Sequence, residues 1–388
     1  MKKINFLIAI ALSIFFVQCK NESSTTVNTE QETLQETAAV SITKSDFGQT
    51  AAGESVEKYT LTNANGMAIE VITYGGIITS WTAPNKEGKY ENIVLGYDNL
   101  EQYIKSNPYF GAIIGRFGNR IAKGKFAIDG TEYQLEQNDG DNHLHGGVNG
   151  FDKVVWSAEA DEAAGTLTLT YVSKDMEGGY PGTLTAIVTY TLTDSDALEV
   201  DYKATTDKKT IVNLTQHSYF NLSADFSNQI LDHELTINAD TYLPVDAGLI
   251  PTGELRQVAG TPFDFRTAKA VGQDIEVKNE QLARGKGYDH CWVLNEQGKM
   301  RTVSTVYHPT SGRLLEIEST EPGIQFYCGN FLDGTLPMAN GGFYGHRTGF
   351  CLETQHYPDA PNQADFPSVI LEPGQEYSTK TIFKFSAK

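Results

Sequence analysis

The sequence has 388 residues and is strongly acidic: 49 Asp and Glu residues stand against 30 Lys and Arg residues, a formal net charge of −19 at pH 7. An acidic surface repels the phosphate backbone of nucleic acids, and no basic stretch interleaved with aromatic residues opposes that effect, so nucleic acid is excluded as a partner. Three of the four cysteines, Cys291, Cys328 and Cys351, fall inside apolar runs. Their odd number and apolar surroundings indicate buried thiols and not a disulfide framework.

The first residues are typical of an export signal. Residues 1–3 are a short basic start, residues 6–17 form an uncharged apolar run, and Cys19 follows closely. The run is too short for a transmembrane helix. A lone Cys after it resembles the bacterial lipobox, in which that Cys carries the lipid and becomes the first mature residue, although Gln18 replaces the usual small residue. We expect residues 1–19 to direct export and Cys19 to anchor the chain to the bacterial envelope, on its periplasmic or outer side. The alternative is a signal peptide cleaved elsewhere, with Cys19 removed.

The next segment, residues 20–58, is rich in Ser, Thr, Glu, Gln and Ala, and has few aromatic residues and no sustained period. This composition predicts a flexible polar linker that would hold the following domain away from a membrane. The remaining residues, 59–388, contain no second linker signal and have a length that fits one large domain.

Short strand-like segments recur along that domain. Residues 125–128 and 131–135 flank Asp129-Gly130, a strong signal for a β-hairpin. Three further segments are rich in β-branched and aromatic residues: 166–173, 183–192 and 198–205. No long helical period appears, and many short strands without βαβ spacing predict an all-β fold, a large antiparallel β-sandwich. The 19 Tyr and 19 Phe residues can supply its core.

Glu353 stands in a short apolar strand. Residues 350–353 alternate with the period of a half-buried strand, and Pro358 and Pro361 then mark a turn. Burial of a carboxylate without partners is costly or raises its pKa. Glu353 is therefore either a proton carrier or a carboxylate that accepts backbone N–H bonds at an exposed strand end, and this segment alone leaves both open.

A Gly-rich segment places two arginines side by side. Residues 115–124 read Gly-Arg-Phe-Gly-Asn-Arg-Ile-Ala-Lys-Gly and include Arg116 and Arg120. The planar donors of Arg suit hydroxyl and carboxylate oxygens. We expect one of the two arginines to pair with a carboxylate of the acidic surface.

Histidines supply two further candidates. His143 and His145 are two positions apart and would face the same way on a strand, so they could hold a metal ion if His217 or Glu353 supplied a third ligand. The alternative is a single His that hydrogen-bonds in a glycine turn. His217 lies among aromatic and amide residues and is a candidate general acid, because a nearby carboxylate can hold an imidazole protonated. A hydrogen-bonded core His is the other interpretation.

Six motifs occur in one order along the chain. They are Gly-Arg-Phe-Gly-Asn-Arg-Ile-Ala-Lys-Gly, Leu-His-Gly-Gly, His-Ser-Tyr-Phe-Asn-Leu, Tyr-Asp-His, Gly-Asn-Phe-Leu-Asp-Gly and Leu-Glu-Thr-Gln-His-Tyr-Pro-Asp-Ala-Pro. Together they resemble the aldose 1-epimerase family, the galactose mutarotases, over essentially all of residues 59–388. The resemblance implies the large β-sandwich of that family, in agreement with the strand pattern.

The resemblance also implies a set of site residues. They are the catalytic base Glu353, the catalytic acid His217, a second histidine near the ring oxygen, His145, the sugar-contacting pair Asn119 and Arg120, and the hydroxyl-binding residues Asp289 and Gln325. It implies a free aldose such as galactose or glucose as the substrate, and a monomer or homodimer. The reaction requires no metal, redox cofactor or nucleotide, which fits a sequence without Gly-rich phosphate loops, HExxH or CxxC patterns.

Other functions remain open at this stage. A glycoside hydrolase would use Glu353 and Asp289 as its two carboxylates. A sugar-binding module would keep the fold and the sugar contacts without turnover, and a metal-dependent enzyme would be built on His143 and His145. A phosphorylated hexose is a further substrate class, although the acidic chain shows no clear basic pocket.

Overall fold

The computed structural model describes residues 40–339 and 341–388. Within these ranges the chain forms 29 β-strands and two short α-helices. The first strands are β1 Ser41–Gln49, β2 Ser55–Thr62, β3 Ala68–Ile72, β4 Ile78–Pro84, β5 Tyr90–Asn92, β6 Ala112–Ile114, β7 Arg120–Ile121, β8 Lys125–Ile128, β9 Thr131–Gln134, β10 His143–Leu144, β11 Ser157–Asp161, β12 Thr166–Ser173, β13 Leu184–Leu192 and β14 Ala197–Thr206. The remaining strands are β15 Thr210–Ile211, β16 Thr215–His217, β17 Glu234–Ile237, β18 Thr241–Leu243, β19 Arg256–Gln257, β20 Lys269–Ala270, β21 Asp289–Val293, β22 Arg301–Tyr307, β23 Arg313–Ser319, β24 Gly323–Tyr327, β25 Leu336–Pro337, β26 Phe343–Tyr344, β27 Cys351–Gln355, β28 Ile370–Leu371 and β29 Tyr377–Ala387. The helices are α1 Leu100–Lys105 and α2 Glu280–Gly285.

Three large sheets organise these strands. Their orders are β1-β2-β3-β4-β5, β11-β12-β13-β14-β29-β23-β22-β17-β20 and β19-β18-β21-β24-β27. Neighbouring strands run antiparallel, as in the pairs β13–β14 and β24–β27. Two-stranded pairs, among them β6–β16 and β7–β10, lie outside these sheets. The architecture confirms the prediction of a large antiparallel all-β fold.

The first two sheets pack face to face through aromatic residues. Trp81 of β4 meets Phe383 and Phe385 of β29 edge-on, with ring centroids 5.6 and 5.3 Å apart. The third sheet shares this core, since Trp292 of β21 and Phe326 of β24 belong to the same buried cluster. Each such side chain contributes about 1.5–3 kcal/mol by leaving water. The strands of the third sheet are therefore fixed by the core of the sandwich.

The predicted hairpin forms where its turn signal lies. β8 and β9 pair from Lys125–Gln134 to Ile128–Thr131. Asp129 and Gly130 between them have positive φ angles of 51° and 80°. A two-residue type I′ turn requires positive φ at both positions, which Asp and Gly tolerate. The prediction of a hairpin at this place is confirmed.

The prediction of a flexible linker is wrong for the second half of residues 20–58. β1 pairs along most of its length with β2, and both fall largely within residues 20–58. Ile42 and Val56 are buried, whereas most other side chains of β1 are exposed or half-exposed. The strand is held by backbone hydrogen bonds to β2 and needs little apolar sequence, which explains why its polar composition indicated a linker. The expected signal segment, residues 1–19, and the rest of the predicted linker lie outside the described residues.

Among the described residues, no helix has the length and apolar character needed to cross a membrane.

Candidate active site

One face of the third sheet presents two carboxylates and an amide side by side. Gln325 of β24 is directly opposite Glu353 of β27, and Cys291 of β21 is opposite Gln325. Asp289 lies two residues before Cys291, so alternation along the strand puts it on the same face. The Gln325 amide donates from Nε2 to Asp289 Oδ1 at 2.7 Å. The register of the sheet therefore holds Asp289 and Glu353 near each other.

A separate strand brings His217 to this face. β16 is tied to β27 because the Thr215 hydroxyl donates to the carbonyl oxygen of Thr354 at 2.8 Å. At the end of β16, His217 Nε2 lies 3.6 Å from Glu353 Oε1. Cys351 Sγ lies 3.5 Å from the other ring nitrogen, Nδ1. Cys351 and Glu353 thus contact the two nitrogens of one imidazole from the same strand.

The opposite wall of the site is formed around β7 and β10. These strands pair with each other and bring Asn119 and His145, which flank them, together. Both residues have positive φ angles, 60° and 52°. The His145 N–H donates to the Asn119 carbonyl oxygen at 3.0 Å, and the Asn119 N–H donates to His145 Nδ1 at 3.1 Å. A ring nitrogen that accepts from a backbone N–H carries no proton, so neutral His145 has its hydrogen on Nε2.

Arg120 links the two walls electrostatically. Its Nε donates to Asp139 Oδ2 at 2.8 Å, and its Nη1 lies 4.0 Å from Asp289 Oδ2. This confirms that one of the two arginines pairs with carboxylates. Arg116 differs: its buried guanidinium donates to the carbonyl oxygens of Pro181 and Gly182, each at 2.9 Å, so it holds loops together instead of facing the site.

These residues enclose a cavity of about 160 Å³. Its lining comprises Pro108, Tyr109, Asn119, Arg120, Leu144, His145, His217, Tyr219, Asp289, Tyr327, Phe331, Leu332 and Glu353. Six of the seven predicted site residues line it, and the seventh, Gln325, holds Asp289 from the neighbouring strand. A groove of about 570 Å³ elsewhere is larger. The smaller cavity is the one that contains the acid–base pair.

Burial shifts the pKa values of Glu353 and His217 in opposite directions. The pKa of Glu353 is raised well above its ordinary value by burial and by the charge of Asp289, against the opposing charge of Arg120. Burial lowers the pKa of His217 to about 4. The expectation that a carboxylate holds His217 protonated is therefore wrong for this structure, because both charged forms are disfavoured where water is excluded. When the pair holds a single proton, burial therefore favours its position on Glu353, beside a neutral imidazole.

Aromatic rings, which the predicted site residues did not include, form much of the remaining wall. Tyr219 stacks on His217 with ring centroids 5.1 Å apart, and Tyr109 meets His145 edge-on at 4.6 Å. Phe331 remains 48% exposed at the cavity and stacks on Tyr327. Tyr219 lies two residues after His217, a spacing that could have indicated a shared strand face. No comparable local signal marks Tyr109.

The metal-binding alternative meets two obstacles. Both ring nitrogens of His143 are occupied, Nδ1 by the carbonyl oxygen of Glu136 and Nε2 by the hydroxyl of Tyr180, each at 2.6 Å. His145, His217 and Glu353 do bring ligand atoms within 4.8 Å of one another. The Asn119 contact nevertheless leaves His145 with an N–H, not a lone pair, toward them. The donor set fits a hydrogen-bonding site better than a metal centre.

The fold and the cavity together define an acid–base enzyme for a small, hydroxyl-rich molecule. A buried carboxyl group and an imidazole lie side by side, and amide, guanidinium and carboxylate groups surround them. The model of the aldose 1-epimerase family matches residues 57–384. The chain is 47% identical to galactose mutarotase from Bos taurus over 348 residues, which cover 89% of this chain and 99% of that protein. It is 38% identical to aldose 1-epimerase from Escherichia coli over 339 residues, 87% of this chain and 97% of that protein.

Solved structures agree with these sequence relatives. Galactose 1-epimerase from Lactobacillus acidophilus superposes with a TM-score of 0.78 at 29% identity and covers 90% of this chain and 99% of its own. An aldose epimerase homologue from C. elegans gives 0.77 at 28% identity with the same coverage. The chain belongs to the aldose 1-epimerase family and is an isomerase.

Proposed function

We propose that this protein interconverts the α and β anomers of free aldoses such as galactose and glucose, with Glu353 as the base and His217 as the acid. The observation that carries these roles is the buried pair itself, with His217 Nε2 3.6 Å from Glu353 Oε1 at the cavity wall. Family membership supports the reaction, and the geometry supports the assignment of the two residues.

The chemistry needs two coupled proton transfers. Glu353 removes the proton of the C1 hydroxyl while His217 delivers a proton from Nε2 to the ring oxygen. The bond between C1 and the ring oxygen breaks, and C1 becomes an aldehyde carbonyl. Rotation about the C1–C2 bond presents the other carbonyl face, and ring closure returns both protons. Enzyme and sugar composition are unchanged, so no redox cofactor is needed.

The shared proton connects the resting site to this mechanism. We propose that the resting pair holds one proton, and burial favours its position on Glu353 beside a neutral imidazole. Its transfer across the pair produces a carboxylate and an imidazolium without exchange with solvent. A sugar that donates from its C1 hydroxyl to Glu353 and accepts at its ring oxygen from His217 stabilises this charged form. Substrate binding therefore creates the base and the acid together.

The other five site residues would hold the sugar. His145 offers its Nε2–H, Asn119 and Arg120 offer donors, and Asp289, oriented by Gln325, accepts from hydroxyl groups. A cavity of about 160 Å³ suits a single pyranose ring. Because a positioned acid or base contributes about 10²–10⁴-fold, such binding must supply the rest of the rate.

Polarimetry on freshly dissolved α-D-galactose and α-D-glucose tests the proposal. We expect faster relaxation to the same final rotation, with and without a chelator. Glu353→Gln keeps the size of the side chain but not its proton acceptor, and should lower kcat by about 10²–10⁴-fold. Retained turnover in this variant would show that another residue is the base.

The same assay separates the competing functions. A glycoside hydrolase acting through Glu353 and Asp289 would release reducing sugar from a glycoside and leave mutarotation unaccelerated. A binding module would bind galactose, as calorimetry would detect, without any acceleration. Loss of turnover on addition of chelator would instead support a metal-dependent reaction.

We also infer that the protein is exported and anchored through a lipid at Cys19. The basic start, the apolar run and the position of Cys19 support this assignment. Growth of a bacterial host with labelled palmitate should label the full chain and not the Cys19→Ala variant. Absence of label on the unaltered chain would contradict the anchor, and cell fractionation would then locate the protein.

Sedimentation of the purified protein would distinguish a monomer from a homodimer.

A further inference from the structure

Cys351 is buried beside the imidazole that would act as the acid, and nothing in the mechanism above uses it. Its Sγ lies 3.5 Å from His217 Nδ1. Glu353, two positions further along β27, lies 3.6 Å from Nε2 of the same ring. Alternate residues of a strand share a face, so this one strand meets both nitrogens of the acid.

The contacts of its two ring nitrogens determine where His217 keeps a proton. Nε2 faces Glu353, whose raised pKa favours a protonated carboxyl group that can donate to it. A ring nitrogen that accepts a hydrogen bond carries no hydrogen, so neutral His217 then has its hydrogen on Nδ1. A thiol is a weak donor and a weak acceptor, and toward an Nδ1–H its sulfur accepts. Burial first, and then the charge of Glu353, raise the pKa of Cys351 well above its ordinary value, so the group stays a neutral thiol. A neutral sulfur and no negative charge therefore face Nδ1.

We propose that Cys351 is a positioning residue that holds His217 in the tautomer with its hydrogen on Nδ1. Nε2 is then the nitrogen that takes the proton from Glu353 and passes it to the sugar ring oxygen. A carboxylate at Nδ1 would stabilise the imidazolium and hold the proton, whereas a neutral thiol orients the ring without retaining the charge. The inference rests on the proposed role of His217.

The same cavity contains the opposite arrangement. At His145 the group that faces Nδ1 is a donor, the backbone N–H of Asn119, at 3.1 Å. His145 therefore carries its hydrogen on Nε2. The two imidazoles lie 5.2 Å apart, ring centroid to ring centroid, and are held in different tautomers by the partner of one nitrogen each. His145 is an internal reference for a measurement of His217.

The pH dependence of His217 also depends on its other neighbours. The titratable groups that face the ring are Glu353 and Cys351 from β27, His145 from the opposite wall, and the hydroxyl-bearing rings of Tyr109 and Tyr219. Burial raises the pKa values of both tyrosines, which remain neutral. Changes at Cys351 therefore leave Glu353, which lies at Nε2, as the acidic group beside the ring.

Three variants test the proposal. Cys351→Ala removes the partner of Nδ1, and Cys351→Ser keeps a neutral donor and acceptor there. Cys328→Ala is the control, because it removes another buried thiol, which contacts the carbonyl oxygen of Tyr288 and not His217. We expect Cys351→Ala to lower kcat by about tenfold, the loss of one hydrogen bond, with KM within about twofold. It should also move the acid limb of the pH profile to lower pH, because the Nδ1–H of the imidazolium loses its acceptor. Cys351→Ser should restore both values, and Cys328→Ala should behave as the unaltered protein.

Nitrogen-15 NMR of the imidazoles in the sugar-free protein measures the tautomers directly. We expect His217 with its hydrogen on Nδ1, His145 with its hydrogen on Nε2, and mixed tautomers for His217 in Cys351→Ala. A His217 tautomer unchanged by Cys351→Ala, or a kcat loss that Cys351→Ser does not rescue while the melting temperature falls, would overturn the proposal in favour of packing alone. The NMR result does not depend on turnover. Failure of the catalytic roles would appear separately, as activity retained in Glu353→Gln.

Discussion

The two walls of the cavity hold the same residue type under opposite constraints. On the wall of β16 and β27, His217 has the Cys351 sulfur at Nδ1 and the carboxyl group of Glu353 at Nε2. On the wall of β7 and β10, His145 faces a backbone N–H at Nδ1. Burial lowers the pKa of both imidazoles. What distinguishes them is the partner of one ring nitrogen, not exposure.

The different contacts of His217 and His145 suit the two side chains to different roles in proton transfer. His217 can gain a proton at Nε2 and lose it again without breaking its contacts at Nδ1. His145 cannot gain one without placing two N–H groups, its own and that of Asn119, against each other. A histidine that accepts a backbone N–H serves as a fixed donor, whereas one with a free lone pair beside a carboxylic acid can carry protons.

The largest expected effect comes from replacing His217, on the wall of β16 and β27. His217→Asn keeps a polar side chain but removes the titrating nitrogen, and should lower kcat by about 10²–10⁴-fold with a much smaller change in KM. Initial rates of mutarotation over a range of galactose concentrations measure both constants. If KM rose as much as kcat fell, His217 would be a binding residue instead of the acid.

A smaller effect is expected from the opposite wall. His145→Asn replaces the Nε2–H donor with a shorter amide group and should lower kcat/KM by about tenfold, the free-energy equivalent of one hydrogen bond. The acid limb of the pH profile should stay where it is, because His145 does not carry the proton. A loss of kcat/KM in His145→Asn as large as that in His217→Asn would contradict the different roles assigned to the two histidines.

The charge of Asp289 should influence the pH range of activity through the pKa of Glu353. In the proposed mechanism the active pair holds one proton, so activity should fall below about pH 4, where His217 takes up a second proton, and at the raised pKa of Glu353, where the last proton leaves. Asp289 raises the pKa of Glu353, so Asp289→Asn should move the alkaline limb to lower pH and leave the acid limb in place. Asp289→Ala should chiefly raise KM. Profiles of kcat/KM against pH for the three proteins check the sign, and an alkaline limb moved upward would contradict it.

The smallest effect is expected at the rim of the cavity. Phe331 is 48% exposed and offers an aromatic surface to a bound sugar. Phe331→Ala should raise KM by about two- to fivefold, with kcat nearly unchanged, because it removes apolar contact far from the proton transfers. Phe343→Ala, at a residue that is 58% exposed and does not line the cavity, is the matched control. Equal effects of the two substitutions would exclude a role in binding.

Much of the fold could be predicted because it depends on local pattern. The period-2 alternation predicted strands, and Asp129-Gly130 predicted the hairpin because few other pairs tolerate positive φ at both positions. β1 escaped prediction because an edge strand can be held by backbone hydrogen bonds with polar side chains throughout. Arg116 and Arg120 look alike in the sequence, yet one binds backbone carbonyl oxygens and the other carboxylates.

By itself the sequence determined the residue types that the chemistry needs: an isolated Glu in an apolar strand, histidines beside glycines and amides, and a buried thiol. Only the tertiary structure decided which groups surround each ring nitrogen and each carboxyl group. His217 and Cys351 are 134 positions apart, and His145 and Asn119 are 26 apart. A tautomer depends on which donor or acceptor lies within about 3–3.5 Å of one ring nitrogen, and a pKa depends on the water excluded around it. Both are properties of packed segments, which no local pattern encodes.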